Sequence, residues 1–121
     1  MKSKGQMEAE ISEAIVQFEK EYMGRGPLET KTYIIDDMVL VRLKNVLTRA
    51  EHQLASPGDT PEGRALIKKV RTTLLEKGRP LLEAVVGSIT TRKVVSLHTD
   101  ISTVTGERII LLTLEGKVEL P

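Results

Sequence analysis

Met7, Ile11, Ile15, Phe18 and Tyr22 recur at spacings of four and three, with Glu8, Glu10, Glu13, Gln17, Glu19 and Lys20 filling other positions. That is the 3.6-residue period of an amphipathic helix. Gly24 follows the last apolar position and suits a left-handed cap, and Pro27 bars continuation. The pattern then changes. Thr30–Ile35 and Met38–Leu43 are rich in β-branched residues and flank Asp36-Asp37, which predicts a hairpin. A two-residue turn pairs Ile35 with Met38, Ile34 with Val39 and Tyr33 with Leu40. One face then carries Ile34, Val39, Val41 and Leu43; the other carries Tyr33, Ile35, Met38 and Leu40, with Lys31 and Arg42 beyond them. Both faces are substantially apolar, whereas a half-solvated sheet alternates more cleanly. Asp-Asp is a weaker turn than Asp-Gly, so the register is open to slippage.

Thr48-Arg49-Ala50-Glu51 forms a capping box and predicts a short helix from about Arg49 to Ala55. Ser56-Pro57-Gly58-Asp59 reads as a loop, and Thr60-Pro61 as the N-cap and first turn of the next helix. Its apolar stripe runs through Leu66, Ile67, Val70, Leu74, Leu81, Leu82, Val85 and Val86, in phase across Gly78-Arg79-Pro80. The expectation is one long helix kinked at Pro80 and ending near Gly87; two helices broken at Gly78 are the alternative. An unbroken helix of about 26 residues is roughly 39 Å long, more than a domain this small needs.

A second hairpin closes the chain. Val95, Leu97, Thr99 and Ile101 alternate with Ser96, His98, Asp100 and Ser102, and Ile109–Leu114 follow a turn at Thr105-Gly106. Pairing places Leu97, Ile101, Ile110, Leu112 and Leu114 on one face, with His98, Asp100 and Ser102 beside Ile109 and Leu111 on the other. Glu115–Pro121 reads as a tail. The predicted fold is α+β in α-ββ-α-α-ββ order: a four-stranded antiparallel sheet of two hairpins, packed against a long kinked helix and an N-terminal helix. Residues 1–121 form a single domain with its core at about 7–115 and short flexible tails. The overlong helix and the two-sided apolar hairpin both favour burial by a partner copy, so a homodimer is expected.

Composition narrows the chemistry. The chain has 121 residues, 40% hydrophobic and 29% charged, a globular balance. Lys plus Arg is 18 against 17 for Asp plus Glu, so no basic excess exists for a nucleic-acid backbone. Phe18, Tyr22 and Tyr33 are the only aromatics, too few for base stacking. There is no Cys and there are two His, which argues against disulfides, thiol nucleophiles and metal sites. The N-terminus lacks a signal-like apolar stretch, and the longest apolar run, Ile109–Leu112, is far short of the ~20 residues that cross a bilayer. A cytoplasmic protein without direct membrane insertion is expected.

Few residues invite a chemical reading. Gly24-Arg25-Gly26-Pro27 either presents Arg25 to an anion or a partner's carboxylate, or is a helix stop and tight turn. It is not a phosphate loop, because such loops precede a helix and use its positive end. His98, Asp100 and Ser102 stand in a row about 6.5–7 Å apart along a strand, too far apart for a triad. His52 reads as a solvated side chain, Glu51 as a cap, and Asp36 and Asp37 as turn acids. Arg71, one residue past Val70, either pairs with a carboxylate from another element or subunit or snorkels into solvent. No acid–base pair, metal cluster or activated nucleophile emerges from spacing, so no catalytic residue, metal or cofactor is assigned.

Gly24-Arg25-Gly26-Pro27, the apolar hairpin into Leu47-Thr48 with Glu51 and Leu54, Val70-Arg71, and the final hairpin around Asp100 together resemble the bacterial MpsC-like family. The resemblance spans roughly residues 8 to 115; Arg49 departs from it where many members carry Pro after the Thr. It implies a small cytosolic protein, peripheral to the membrane through a protein partner. The setting it implies is a membrane-potential-generating system that couples cation movement to inorganic carbon uptake. The recurrent residues it marks here are Gly24, Arg25, Gly26, Pro27, Thr48, Glu51 and Arg71, without assigned roles. Two functions follow as expectations. One is a non-catalytic accessory or regulatory subunit docking on a membrane transport complex. The other is a small-anion or nucleotide sensor, with Arg25, Arg71 or His98 meeting the ligand.

Overall fold

A computed structural model describes residues 2–55 and 61–121. The loop expected at 56–59 and the N-cap expected at Thr60 lie outside the described residues. The elements are α1 (Lys4–Met23), β1 (Glu29–Ile35), β2 (Met38–Lys44), α2 (Arg49–Leu54), α3 (Pro61–Thr90), β3 (Val94–Ile101) and β4 (Arg108–Leu114). The strands form one antiparallel sheet in the order β1-β2-β4-β3, so the two hairpins meet at β2 and β4. The α+β fold and its element order are those expected from the pattern. Among the described residues no helix is long and apolar enough to cross a membrane.

α1 starts before its first apolar residue because Ser3 and Gln6 form a capping box. It ends where Gly24 takes a φ of +81°, a left-handed cap. The first hairpin has the expected register, with Tyr33 opposite Leu40 and Ile35 opposite Met38. Asp36 accepts the left-handed turn position at φ +54°, which aspartate tolerates better than most residues. Register does not slip, because Ile34, Val39, Val41 and Leu43 are buried on one face and a one-residue shift would expose them all. α1 lies beside β1 and guards its free edge: the Ile34 amide donates to Glu8 Oε2 (2.8 Å), and Ser12 and Thr32 hydroxyls meet at 2.7 Å.

α3 is one helix of 30 residues, running through Gly78, Arg79 and Pro80. At 1.5 Å per residue it is about 45 Å long. It passes the stop expected near Gly87 and ends at Thr90, where Thr91 takes a φ of +57°. The glycine read as a possible break instead marks a close approach. Gly78 is buried, and a Cβ there would run into the Phe18 ring of α1. The expected stripe is also rotated. Ile67, Arg71, Leu75, Gly78, Leu82, Val86 and Thr90 face inward, while Leu66, Val70 and Leu81 are 50%, 46% and 50% exposed. The apolar arc is wider than the buried one, so periodicity alone places its centre wrongly.

The second hairpin pairs Leu97 with Leu112 and Thr99 with Ile110. An irregularity between Val94 and Ser96 leaves Val95 exposed. The segment after β4 makes contacts with the domain. The Leu114 amide donates to the Asp37 carbonyl (2.8 Å), Val118 is buried, and Arg92 Nε donates to the Lys117 carbonyl (2.8 Å). The core lies between the helices and one face of the sheet.

Candidate functional site

After β2, Asn45 takes a φ of +56° and turns the chain toward α2. Val46 and Leu47 are buried, so their carbonyls need partners. Arg71 Nη2 donates to the Val46 carbonyl (2.7 Å), and Arg25 Nη1 donates to the Leu47 carbonyl (2.6 Å). Thr48 then caps α2. Its hydroxyl accepts from the Glu51 amide (3.2 Å), and its amide donates to Glu51 Oε1 (2.8 Å). The same carboxylate takes a fork from Arg71, Nε to Oε2 at 2.8 Å and Nη2 to Oε1 at 2.6 Å. Arg71 therefore pairs and does not snorkel. Its planar guanidinium suits a bidentate contact that a lysine could not copy.

Behind this fork lies a second pair of charges. Glu19 is fully buried, and Arg71 and Arg108 are each 2% exposed. Glu19 Oε2 lies 3.6 Å from Arg71 Nη1, and Glu19 Oε1 lies 3.5 Å from Arg108 Nη1. Arg108 Nε donates to Thr99 Oγ1 (3.2 Å). Two carboxylates and two guanidiniums thus join α1, α2, α3 and β4, and their formal charges cancel. The inner contacts are ion pairs without hydrogen-bond geometry: both Glu19 oxygens and both Nη1 atoms lack a hydrogen-bond partner among the described residues.

Burial pushes the Glu19 carboxyl above its ordinary value, against the pull of Arg108 and Arg71. Burial likewise pushes Arg108 down, against the stabilising charge of Glu19. Glu51 behaves oppositely. Burial works to raise it, but hydrogen bonds from Arg71 and the Thr48 amide outweigh burial and hold it below the ordinary range.

The structure brings Arg25, Thr48, Glu51 and Arg71 together on the 46–51 segment. Gly24, Gly26 and Pro27 shape the loop that carries Arg25 there. Arg25 is held by a main-chain carbonyl, which makes this loop a clasp. Glu19 and Arg108 were missed by reading charges as solvated positions. A signal was present, because each buried charge interrupts an apolar row. Glu19 stands in the series Met7, Ile11, Ile15, Met23; Arg71 stands between Ile67 and Leu75; Arg108 precedes the inward Ile110, Leu112 and Leu114.

The remaining candidates stay apart. Asp100 accepts from the Ile101 amide (2.8 Å) and from Lys68 (3.2 Å), and the Ser102 hydroxyl accepts from the Val104 (3.3 Å) and Thr105 (3.1 Å) amides. His98 sits exposed opposite Leu111 and His52 is exposed on α2. Among the described residues no group of three or more His, Cys, Asp or Glu side chains could hold a metal. A cavity beside the network, lined by Lys68, Arg71, Thr72, Thr99, Arg108 and, at its rim, Asp100 and Ile101, holds about 20 Å³, room for a water-sized guest and not for a nucleotide. A larger apolar groove of about 280 Å³ lies between α1 and α3, against Ala14, Phe18, Leu81 and Val85.

Residues 3–116 match the family described as "Na+-translocating membrane potential-generating system (MpsC)". "Uncharacterized protein YbcI" of Bacillus subtilis (strain 168) is 44% identical over 118 residues, covering 98% of this chain and 93% of the relative. No solved structure matches. The network and clasp are therefore the interior of a small α+β protein whose chain belongs to the MpsC family.

Proposed function

We propose that this protein is a non-catalytic accessory or regulatory subunit of a Na+-translocating membrane potential-generating system, acting as a homodimer through protein–protein contact. The observation that carries this reading is where its polar and apolar groups lie. Of the clustered charges Glu19, Arg71 and Arg108 are buried and Glu51 is 15% exposed, and all are paired with one another, which leaves little for a substrate in solution to reach. Large apolar side chains stay outside instead: Leu66, Val70 and Leu81 on α3, and Tyr33, Ile35 and Val95 on the sheet. Such surfaces mark interaction sites more often than chemistry. Membership in the family supplies the setting.

The test is affinity capture of the tagged chain from its host after gentle detergent extraction, read by native mass spectrometry. The expected result is co-purification of integral membrane subunits at fixed stoichiometry, surviving a salt wash. Recovery of the chain alone from membranes that contain those subunits overturns the docking reading.

A further inference from the structure

The sheet face turned away from the helices is unusual for a surface exposed to water. Its four strands align their outward residues in rows. One row runs Tyr33, Leu40, Leu111, His98; the next in one direction runs Ile35, Met38, Thr113, Ser96; the next in the other runs Lys31, Arg42, Ile109, Asp100. The first row is mostly apolar and the second is apolar at its β1 and β2 positions, and Tyr33 and Ile35 at the β1 edge are 38% and 46% exposed. The third row is polarised. Its β1 end is basic and its β3 end is acidic, while Ile109 lies between.

We infer that this face pairs with the same face of a second copy, about a two-fold axis running along the strands. The inference rests on the homodimeric reading above and supplies its interface. In that arrangement β1 of one copy lies over β3 of the other, and β2 over β4. Rows keep their level, so Lys31 comes over the partner's Asp100 and Leu40 over the partner's Leu111. An isologous interface repeats this contact, so Lys31 and Asp100 meet twice. Between the two meetings each Arg42, held by its own Glu107 (2.6 Å), comes over the partner's Ile109, and the apolar rows lie to one side. An axis across the strands through the Tyr33 row sets β1 over β1, placing Lys31 over the partner's Ile35 and Arg42 over the partner's Met38, with no acid opposite either. Of the two axes, only the one along the strands sets an acid opposite Lys31. Face-to-face sheets about 10 Å apart, crossed at about 30°, bring side chains of both copies into contact. Asp100 already holds Lys68 (3.2 Å) and the Ile101 amide (2.8 Å) on Oδ1, but its side chain is 78% exposed, so the partner's Lys31 joins an existing pair.

Sedimentation equilibrium of the full chain tests this. The wild-type chain is expected to be a dimer at micromolar concentration. Tyr33→Glu and Ile35→Glu, at side chains already partly exposed, are expected to weaken association by about a hundredfold with the circular dichroism unchanged. Lys31→Asp and Asp100→Lys each weaken it by about tenfold, and the two together restore most of the loss. A dimer that survives Tyr33→Glu and Ile35→Glu but dissociates on Leu81→Glu refutes this interface and keeps the dimeric reading. A double swap no tighter than either single refutes the axis. A wild-type chain that stays monomeric at high micromolar concentration overturns both.

Discussion

The two faces of one sheet treat charge in opposite ways. On the covered face, charges that enter the aliphatic rows are walled in: Arg108 lies beside Ile110 and Leu112, and Glu19 and Arg71 reach it from the helices. On the open face the charges gather at one end, with Arg42 on Glu107 (2.6 Å) and Lys44 on Glu29 (3.6 Å), and the apolar residues lie toward the Asp36-Asp37 turn. The covered face shows that a buried ion demands a partner from another element, so it ties the fold together. The open face shows that exposed ion pairs leave a surface available for something else, because each contributes little.

The contrast breaks first at Glu19. Glu19→Gln leaves Arg108 buried without a counter-charge and is expected to cost about 3–5 kcal/mol in urea unfolding. Glu19→Leu combined with Arg108→Met should cost less than the two singles summed; simple additivity would show that the pair is not coupled. Gly78→Ala comes next, at about 1–3 kcal/mol, because the new methyl group must displace Phe18. Helix propensity alone predicts a gain, so a stabilised Gly78→Ala variant would show that the two helices have slack.

Glu51→Gln is expected to cost about 1.5–3 kcal/mol, through charged hydrogen bonds lost to Arg71. It also carries a pH signature. A carboxyl held low in the folded state binds fewer protons there than in the unfolded chain. Its contribution is therefore full above the ordinary Glu value and lost as pH falls through the lowered one. Glu19 works the other way, since its folded value is raised: stability declines as pH climbs from the ordinary Glu value to the raised one. Glu51→Gln should flatten the acid limb of a Tm-versus-pH curve. A curve with the same acid slope in the variant would remove Glu51 from it. The smallest effect belongs to the open face. Ile35→Thr, measured on dilute protomer, is expected within about 0.5 kcal/mol of the parent. A larger loss would mean that this face supports the protomer's own fold.

Much of the architecture was readable because it rests on local rules. The Thr48–Glu51 box, the Gly24 cap and the tight hairpin at Asp36-Asp37 each depend on a few adjacent residues. Arg71 was visible as a charge beside an apolar stripe, but its partner lies 20 residues away on α2. Glu19 and Arg108 were hidden for a different reason: a lone charge on a helix or strand is normally solvated, and only the meeting of α1 with β4 makes these two exceptions. Leu66, Val70 and Leu81 look like core residues by period. Their exposure follows from where α1 sits, which no periodicity on α3 alone encodes.

The strand order has a consequence in time. β4, made last, sits between β2 and β3 and brings Arg108 to Glu19. While the chain emerges from the ribosome, the first hairpin waits with the β2 edge unpaired and with Glu19 short of one of its two arginines. Its long-range closure arrives only with the final strand, so the domain is expected to fold after synthesis of β4 and not piecewise along the way. Ribosome-stalled chains ending before Arg108 should accordingly remain sensitive to protease, and those carried past Val118 by a linker long enough to bring β4 out of the exit tunnel should resist it.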